Sequence, residues 1–185
     1  MHRYFVFAGF SLLGILFLLM ILIYHKKGFH LIGTPSIEKF YFFSGKFALF
    51  TPWGLFLFKA ISPKSGYIMV PQWMSWAAVG FLWTGSLILL LAMYTLRESL
   101  RIGLPQGETN LKTRGIYHYS RNPIYAGAFL ISFGSCLYFP DLVNIFFILY
   151  GFYMHHRIIL SEEKFLEEKF KAEWKEYRLD VRRYL

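Results

Sequence analysis

Cysteine is almost absent from this chain: Cys136 stands alone. A lone cysteine rules out an internal disulfide and a cysteine-ligated zinc site. Inside an apolar run it is an ordinary small core residue. Acidic residues are also scarce, 11 against 20 Lys and Arg, and charged residues together make up only 17%. A soluble domain of this length needs far more polar surface than that. Several motifs are missing as well. There is no phosphate-binding glycine loop, no dinucleotide-binding glycine pattern and no His-Glu-x-x-His. Ser120, Ser132 and Ser135 lack the context of a catalytic triad. No apolar run carries the charged ladder of a pump or voltage sensor. No internal repeat, low-complexity tract or second domain is visible.

Apolar and aromatic residues fill the space: 56% and 21% of the chain, with a net charge of +9. The membrane is the solvent that suits this composition. In a soluble protein the charge would point to nucleic acid. Here the bases sit in short loops and the tail, so they read as orientation signals and contacts with anionic lipid headgroups, with no nucleic-acid partner.

Five runs are close to the roughly 20 residues that cross a bilayer core. They are Tyr4–Tyr24, Ile37–Ile61, Gln72–Leu96, Pro123–Tyr138 and Leu142–Leu160. The first is too long for a signal-peptide core and reads as a retained span. The second carries Lys39 and Lys46 near one end, and Pro52 in its middle predicts a kink. Pro123 suits a first helical turn, and Pro140 makes the last two spans a tight hairpin. The connections alternate in charge: Lys26 and Lys27, then only Lys64, then Arg97, Arg101, Lys112, Arg114 and Arg121, then Asp141 with no base, then a basic tail. The positive-inside rule then puts the N-terminus outside and the C-terminus in the cytoplasm. In the tail, Leu166, Phe170, Trp174, Tyr177 and Val181 form a helical stripe, with charge on the other faces. That stripe predicts an amphipathic helix from Ser161 to Tyr177, packed on the protein or lying at the lipid interface.

The expected fold is therefore all-α and polytopic: about five transmembrane helices plus a C-terminal cytoplasmic amphipathic helix, in a single membrane domain over residues 1–185. Residues 1–96 hold three N-terminal spans. Residues 97–185 hold a long loop, the helical hairpin and the tail helix.

The polar inventory gathers on one side. The loop from Arg97 to Asn122 is well above the usual connection length, and such loops are functional or disordered. It ends in Tyr117, His118, Tyr119, Arg121, Asn122 and Tyr125. Aromatics there can sandwich a flat base or face a sulfonium, and Arg121 can hold a carboxylate. The same residues also suit an interfacial aromatic belt with a lipid-binding arginine. On the last span, His155 and Glu162 share one helix face, as do His156 and Glu163. A carboxylate at that place can take a ribose hydroxyl pair or an ammonium group; it can equally be a helix-start charge. The adjacent histidines diverge by about 100° along a helix, so no metal site is expected.

In order along the chain stand Gly115-Ile116-Tyr117, Ser120-Arg121-Asn122-Pro123-Ile124-Tyr125-Ala126-Gly127, Glu162-Glu163, then Leu166, Phe170, Trp174, Tyr177 and the ending Val181-Arg182-Arg183-Tyr184-Leu185. This pattern resembles the isoprenylcysteine carboxyl methyltransferase and phospholipid methyltransferase group of membrane enzymes, in a prokaryotic-type form. It covers Arg97 to the end; the first two spans carry none of it. The resemblance implies a cytosol-facing pocket for S-adenosylmethionine, with a lipophilic acceptor arriving from the membrane side. Gly115, Tyr117, Arg121, Pro123, Tyr125, Glu162 and Glu163 match its motif. Asn122 stands where the isoprenylcysteine enzymes have His. Lys171 stands where the family usually has Gly, and Trp174 where it usually has Tyr.

The resulting expectation is a membrane methyltransferase using S-adenosylmethionine on a lipophilic or small acceptor (carboxylate, thiol or amine). Arg121, Asn122, Tyr125 and His156 are its expected catalytic residues. Gly115, Tyr117, His118, Pro123, Glu162 and Glu163 are its expected cofactor-binding residues. Besides the acceptor, membrane lipids are the expected partners, and the oligomeric state is left open. Two rivals stand beside it: an NADPH-dependent isoprenoid or sterol-type reductase, and a non-catalytic lipid-binding subunit.

Overall fold

The computed structural model describes residues 1–28, 31–65, 68–105, 107 and 109–184, the side chain at 98 excepted. Leu185, the last residue of the terminal motif, lies outside the described residues. Five helices follow one another: α1 His2–Lys26, α2 Lys39–Ile61, α3 Gln72–Leu96, α4 Pro123–Tyr138 and α5 Leu142–Asp180. Short 3₁₀ turns cover Arg97–Ser99 and Gly115–His118. No strand forms among the described residues; two isolated bridges join Ile32 to Ile102 and Thr34 to Leu104.

By length and composition α1, α3 and α5 are apolar enough to cross a membrane. Among the described residues there are three such helices, while α4 is apolar but has only 16 residues. Between them, α2 has 23 residues with Lys39, Lys46 and Lys59 interrupting its apolar surface.

The helices run back and forth between two ends. At one end His2 Nδ1 shares a hydrogen bond of 2.9 Å with the Tyr138 hydroxyl, and Lys59 lies over the Phe139 ring. At the other end the connection after α1 is stitched to the loop after α3: Gly33 N donates to Ile102 O at 3.0 Å, and Leu104 N to Thr34 O at 2.7 Å. Ser161 on α5 also donates to Ser36 O there. The loop, that connection and the far half of α5 therefore share one end.

Small residues let the helices touch. A Cβ on Gly85 of α3 would meet the Gly127 carbonyl oxygen of α4 at 2.6 Å, and the reverse is also true. Only glycine fits at such a backbone crossing. The Ala126-Gly127 step of the motif is thus a helix-packing device. On the other side, α2 lies against α5, with Gly45 facing Met154 and Gly151 facing Ala48.

The tail departs from the expected separate helix. α5 continues through Ser161 because residues 152–185 contain no Gly or Pro and many strong helix formers. The stretch before Lys171 is by itself longer than a bilayer core of roughly 30 Å, so the helix extends beyond the apolar segment ending at Leu160. Its break comes later, at Lys171, with φ 44° and ψ −106°. There the chain turns so that the stripe packs on the protein: buried Trp174, Tyr177 and Val181 cluster with Leu111, Leu166 and Phe170.

Candidate functional site

Glu162 and Glu163 are neighbours in sequence, but on a helix they point about 100° apart. Glu163 is enclosed by donors. Arg121 Nε reaches its Oε1 at 3.2 Å, Asn122 Nδ2 the same oxygen at 2.9 Å, and Arg183 Nε its Oε2 at 3.0 Å. Burial alone would raise its carboxyl. The hydrogen bonds and charges of Arg183 and Arg121 outweigh that and hold it below the usual carboxylate range.

Glu162 has a single hydrogen-bond partner among the described residues, the Tyr125 hydroxyl, at 3.1 and 3.0 Å from its two oxygens. A carboxylate offers about four lone-pair positions, so Glu162 keeps capacity for a ligand. Tyr117 lies close enough to interact with it electrostatically, and its phenol is raised, first by burial, then by Tyr177 and Glu162.

The first turn of α4 sets this division. Pro123 is buried at the head of the helix, where its missing N–H costs nothing. Arg121 and Asn122 immediately before it face Glu163, and Tyr125 faces Glu162. The remaining donors of Arg121 hold the chain's end: Nη1 reaches Val181 O at 2.6 Å and Arg178 O at 3.2 Å, and its backbone N–H reaches Arg182 O at 2.9 Å. Asn122 Nδ2 and Ser120 Oγ both reach Arg183 O at 3.3 Å. The terminal segment is strapped across the start of α4. Arg121 is thereby buried, and its guanidinium also sits over the Trp174 ring at 5.8 Å. It is no exposed lipid anchor.

The two histidines part company. His155 is fully buried, with Nδ1 on Gly151 O at 2.8 Å and Nε2 without a partner. His156 shares a 2.9 Å hydrogen bond with the Tyr184 hydroxyl. Tyr184 in turn closes one side of an apolar groove of about 320 Å³ lined by Ala126, Phe129, Leu130, Phe133 and Phe152.

Among the other residues singled out from the sequence, Gly115 opens its turn at φ 64° against Thr95. Tyr117 is buried and its carbonyl accepts from the Tyr177 hydroxyl at 2.6 Å. His118 is exposed and lies edge-on to Tyr119. A further cavity of about 620 Å³, lined by Tyr94, Thr95, Arg97, Leu111, Lys112, Thr113 and Arg114, contains none of these residues. Arg183 and Tyr184 belong in sequence only to the terminal motif, yet both reach the site. So does Lys46 of α2, whose ammonium lies 5.2 Å from the Tyr125 ring centre. The signal for Lys46 was its charge inside an apolar run.

The donor and acceptor set suits a ligand that presents an ammonium or hydroxyls to Glu162 and a flat or cationic group to Tyr125 and Tyr117. A model of the phospholipid methyltransferase family matches residues 73–173, more than half of the chain and the whole stretch from α3 through Glu163. Among curated proteins and solved structures, none matches the chain.

Proposed function

The chain belongs to the phospholipid methyltransferase family, and from that premise we propose that it moves a methyl group from S-adenosylmethionine to a lipophilic or small acceptor (carboxylate, thiol or amine) at the cytoplasmic face of a membrane. In this reading all five helices cross the bilayer, with the N-terminus outside and the site in the cytoplasmic leaflet. The alternating loop charge supports that orientation.

One observation carries the proposal. Glu162, half-buried beside Tyr125 at the shared end of α4 and α5, keeps unused acceptor capacity within the family-matched stretch, while its neighbour Glu163 is buried and saturated. S-adenosylmethionine, when bound, supplies a methyl group already activated by its sulfonium. The protein's own part is therefore positioning and exclusion of water. Glu162 takes the cofactor's ammonium or ribose hydroxyls, and the faces of Tyr125 and Tyr117 line its cationic part. Gly115 and Pro123 shape the backbone that carries these side chains. Arg121 and Asn122 act as positioning residues, because they fasten the terminal strap and orient Glu163. The groove beside Tyr184 receives the apolar part of the acceptor. A carboxylate or thiolate acceptor needs no base; from an amine, His156 accepts the proton while Tyr184 orients its ring.

Calorimetry of the detergent-purified protein with S-adenosylhomocysteine, then with NADPH, tests this. The expected result is saturable, stoichiometric binding of the first. Binding of NADPH alone would instead support a reductase, and binding of neither a lipid-binding subunit.

A further inference from the structure

Lys46 sits seven residues into α2, roughly 10 Å along the helix from its start at Lys39. A charge within a membrane helix is costly and marks a functional position by default. A lysine that merely snorkels sends its ammonium outward to the headgroups. This one turns inward. Its ammonium lies 5.2 Å from the ring centres of both Phe42, which is buried, and Tyr125. Among the described residues it makes no hydrogen bond or ion pair. The two rings attract the charge but do not use its three N–H donors. A second unmet group stands beside the same tyrosine. The His155 ring is 5.5 Å from Tyr125, and its Nε2 is buried without a partner. His155 Nδ1 faces the Gly151 carbonyl, which can only accept; the proton is therefore on Nδ1 and Nε2 presents a lone pair. The wall beside Glu162 thus offers three N–H donors from Lys46 and one unpartnered acceptor from His155. The Lys46 charge lies close enough to the Glu162 carboxylate to interact with it but makes no hydrogen bond among the described residues.

We propose that Lys46 is an acceptor-recognition residue: its ammonium receives an anionic group, a carboxylate or a phosphate, of the methyl acceptor. His155 Nε2 beside it takes a hydroxyl or N–H of the same molecule. The site is built by the packing of α2 on α5, where Gly45 meets Met154 and Gly151 meets Ala48. Lys46 lies outside the family-matched stretch of 73–173. Lys46 is therefore the position at which the protein sets its own choice of acceptor, next to His155 of the matched stretch, whereas Glu162, within electrostatic reach of Lys46, serves the cofactor. The proposal rests on the methyltransferase reading, which S-adenosylhomocysteine binding by the wild type tests separately.

The probes are hexyl phosphate and hexanoate, with hexanol as the uncharged reference, titrated calorimetrically into wild type, Lys46→Met and Lys46→Arg. Lys46→Met should weaken at least one anion about tenfold or more, while Lys46→Arg stays within about threefold of wild type. Hexanol and S-adenosylhomocysteine should bind all three proteins alike. The anion that loses affinity identifies the group. Lys46→Gln replaces the Met variant if the latter does not fold. The proposal is overturned if the wild type prefers neither anion over hexanol, or if the uncharged variant keeps wild-type anion affinity. An equal loss of S-adenosylhomocysteine affinity also overturns it, because Lys46 would then serve the cofactor.

Discussion

Arg121 and Glu163 form a buried ion pair at 3.2 Å, joining the head of α4 to the middle of α5. The same guanidinium holds the carbonyls of Arg178 and Val181. One side chain thereby couples the hairpin to the chain's end. Removing one partner of a buried pair strands the other charge, at a cost of about 3–5 kcal/mol. Arg121→Ala should therefore lower the melting temperature in detergent markedly and expose the bonds after Arg182 and Arg183 to trypsin. Arg121→Lys keeps the charge but loses the planar fork, and should fall between. A terminal segment as trypsin-resistant in both variants as in wild type would remove the strap from the account.

The two adjacent acids should separate by phenotype. Glu162→Gln should leave melting nearly unchanged and weaken S-adenosylhomocysteine binding about tenfold, or roughly 1.4 kcal/mol. Glu163→Gln should loosen the strap and lower the melting temperature, because it leaves Arg121 and Arg183 without their carboxylate. Calorimetry and thermal melts on the same preparations read both. Indistinguishable variants would mean that the divergence of the two side chains has no functional consequence.

Acid should undo the strap. Burial opposes the Glu163 charge, but its arginine partners win and its folded carboxyl titrates below its ordinary value of 4.5. A depressed acid stabilises the fold above its unfolded value, and that stability is lost as pH falls through the folded one. Protection of the tail from pepsin-type cleavage should thus be constant from pH 7 to about 5 and decline below about 4.5. The decline should be much weaker in Glu163→Gln, and an equal decline there would assign it to other groups.

Lys171 is strained. Its φ of 44° with ψ of −106° is a conformation that side chains disfavour and glycine tolerates. The family resembled in sequence usually has glycine at this position. Lys171→Gly should raise stability by about 1 kcal/mol, seen as a higher melting temperature. A lower melting temperature would show that the turn at Lys171 is not strained in solution.

Side accessibility tests the orientation. Cysteines placed at Lys64 and Lys112, on a Cys136→Ser background, should react differently with an impermeant reagent added to intact cells, only the first being labelled. Equal labelling of both would reject the five-crossing arrangement with the N-terminus outside.

Much of the architecture is local and was legible in the chain itself. α3 at Gln72–Leu96 and α4 at Pro123–Tyr138 begin and end where the apolar runs and prolines say they should. Helix formation depends on backbone hydrogen bonds within each run, and the bilayer-sized apolar lengths follow from composition. The motif residues, and their presence on the same side, could also be read from order and loop charge. What the sequence could not say is which group each side chain meets. Glu162 and Glu163 look equivalent in a string of letters, and helical geometry separates them only once α4 presents Tyr125 to one and Arg121 to the other. The tail stripe was visible, but the turn at Lys171 that lays it on Leu111 was not, because that turn is imposed by packing against local preference. Sequence placed His118 at the cofactor and His156 in catalysis; only the fold leaves the first exposed and binds the second to Tyr184. Lys46 is the clearest case. Its charge was plain, yet its place beside Tyr125 and His155 exists only because α2 packs on α5, bringing together residues more than a hundred positions apart through contacts that no local pattern encodes.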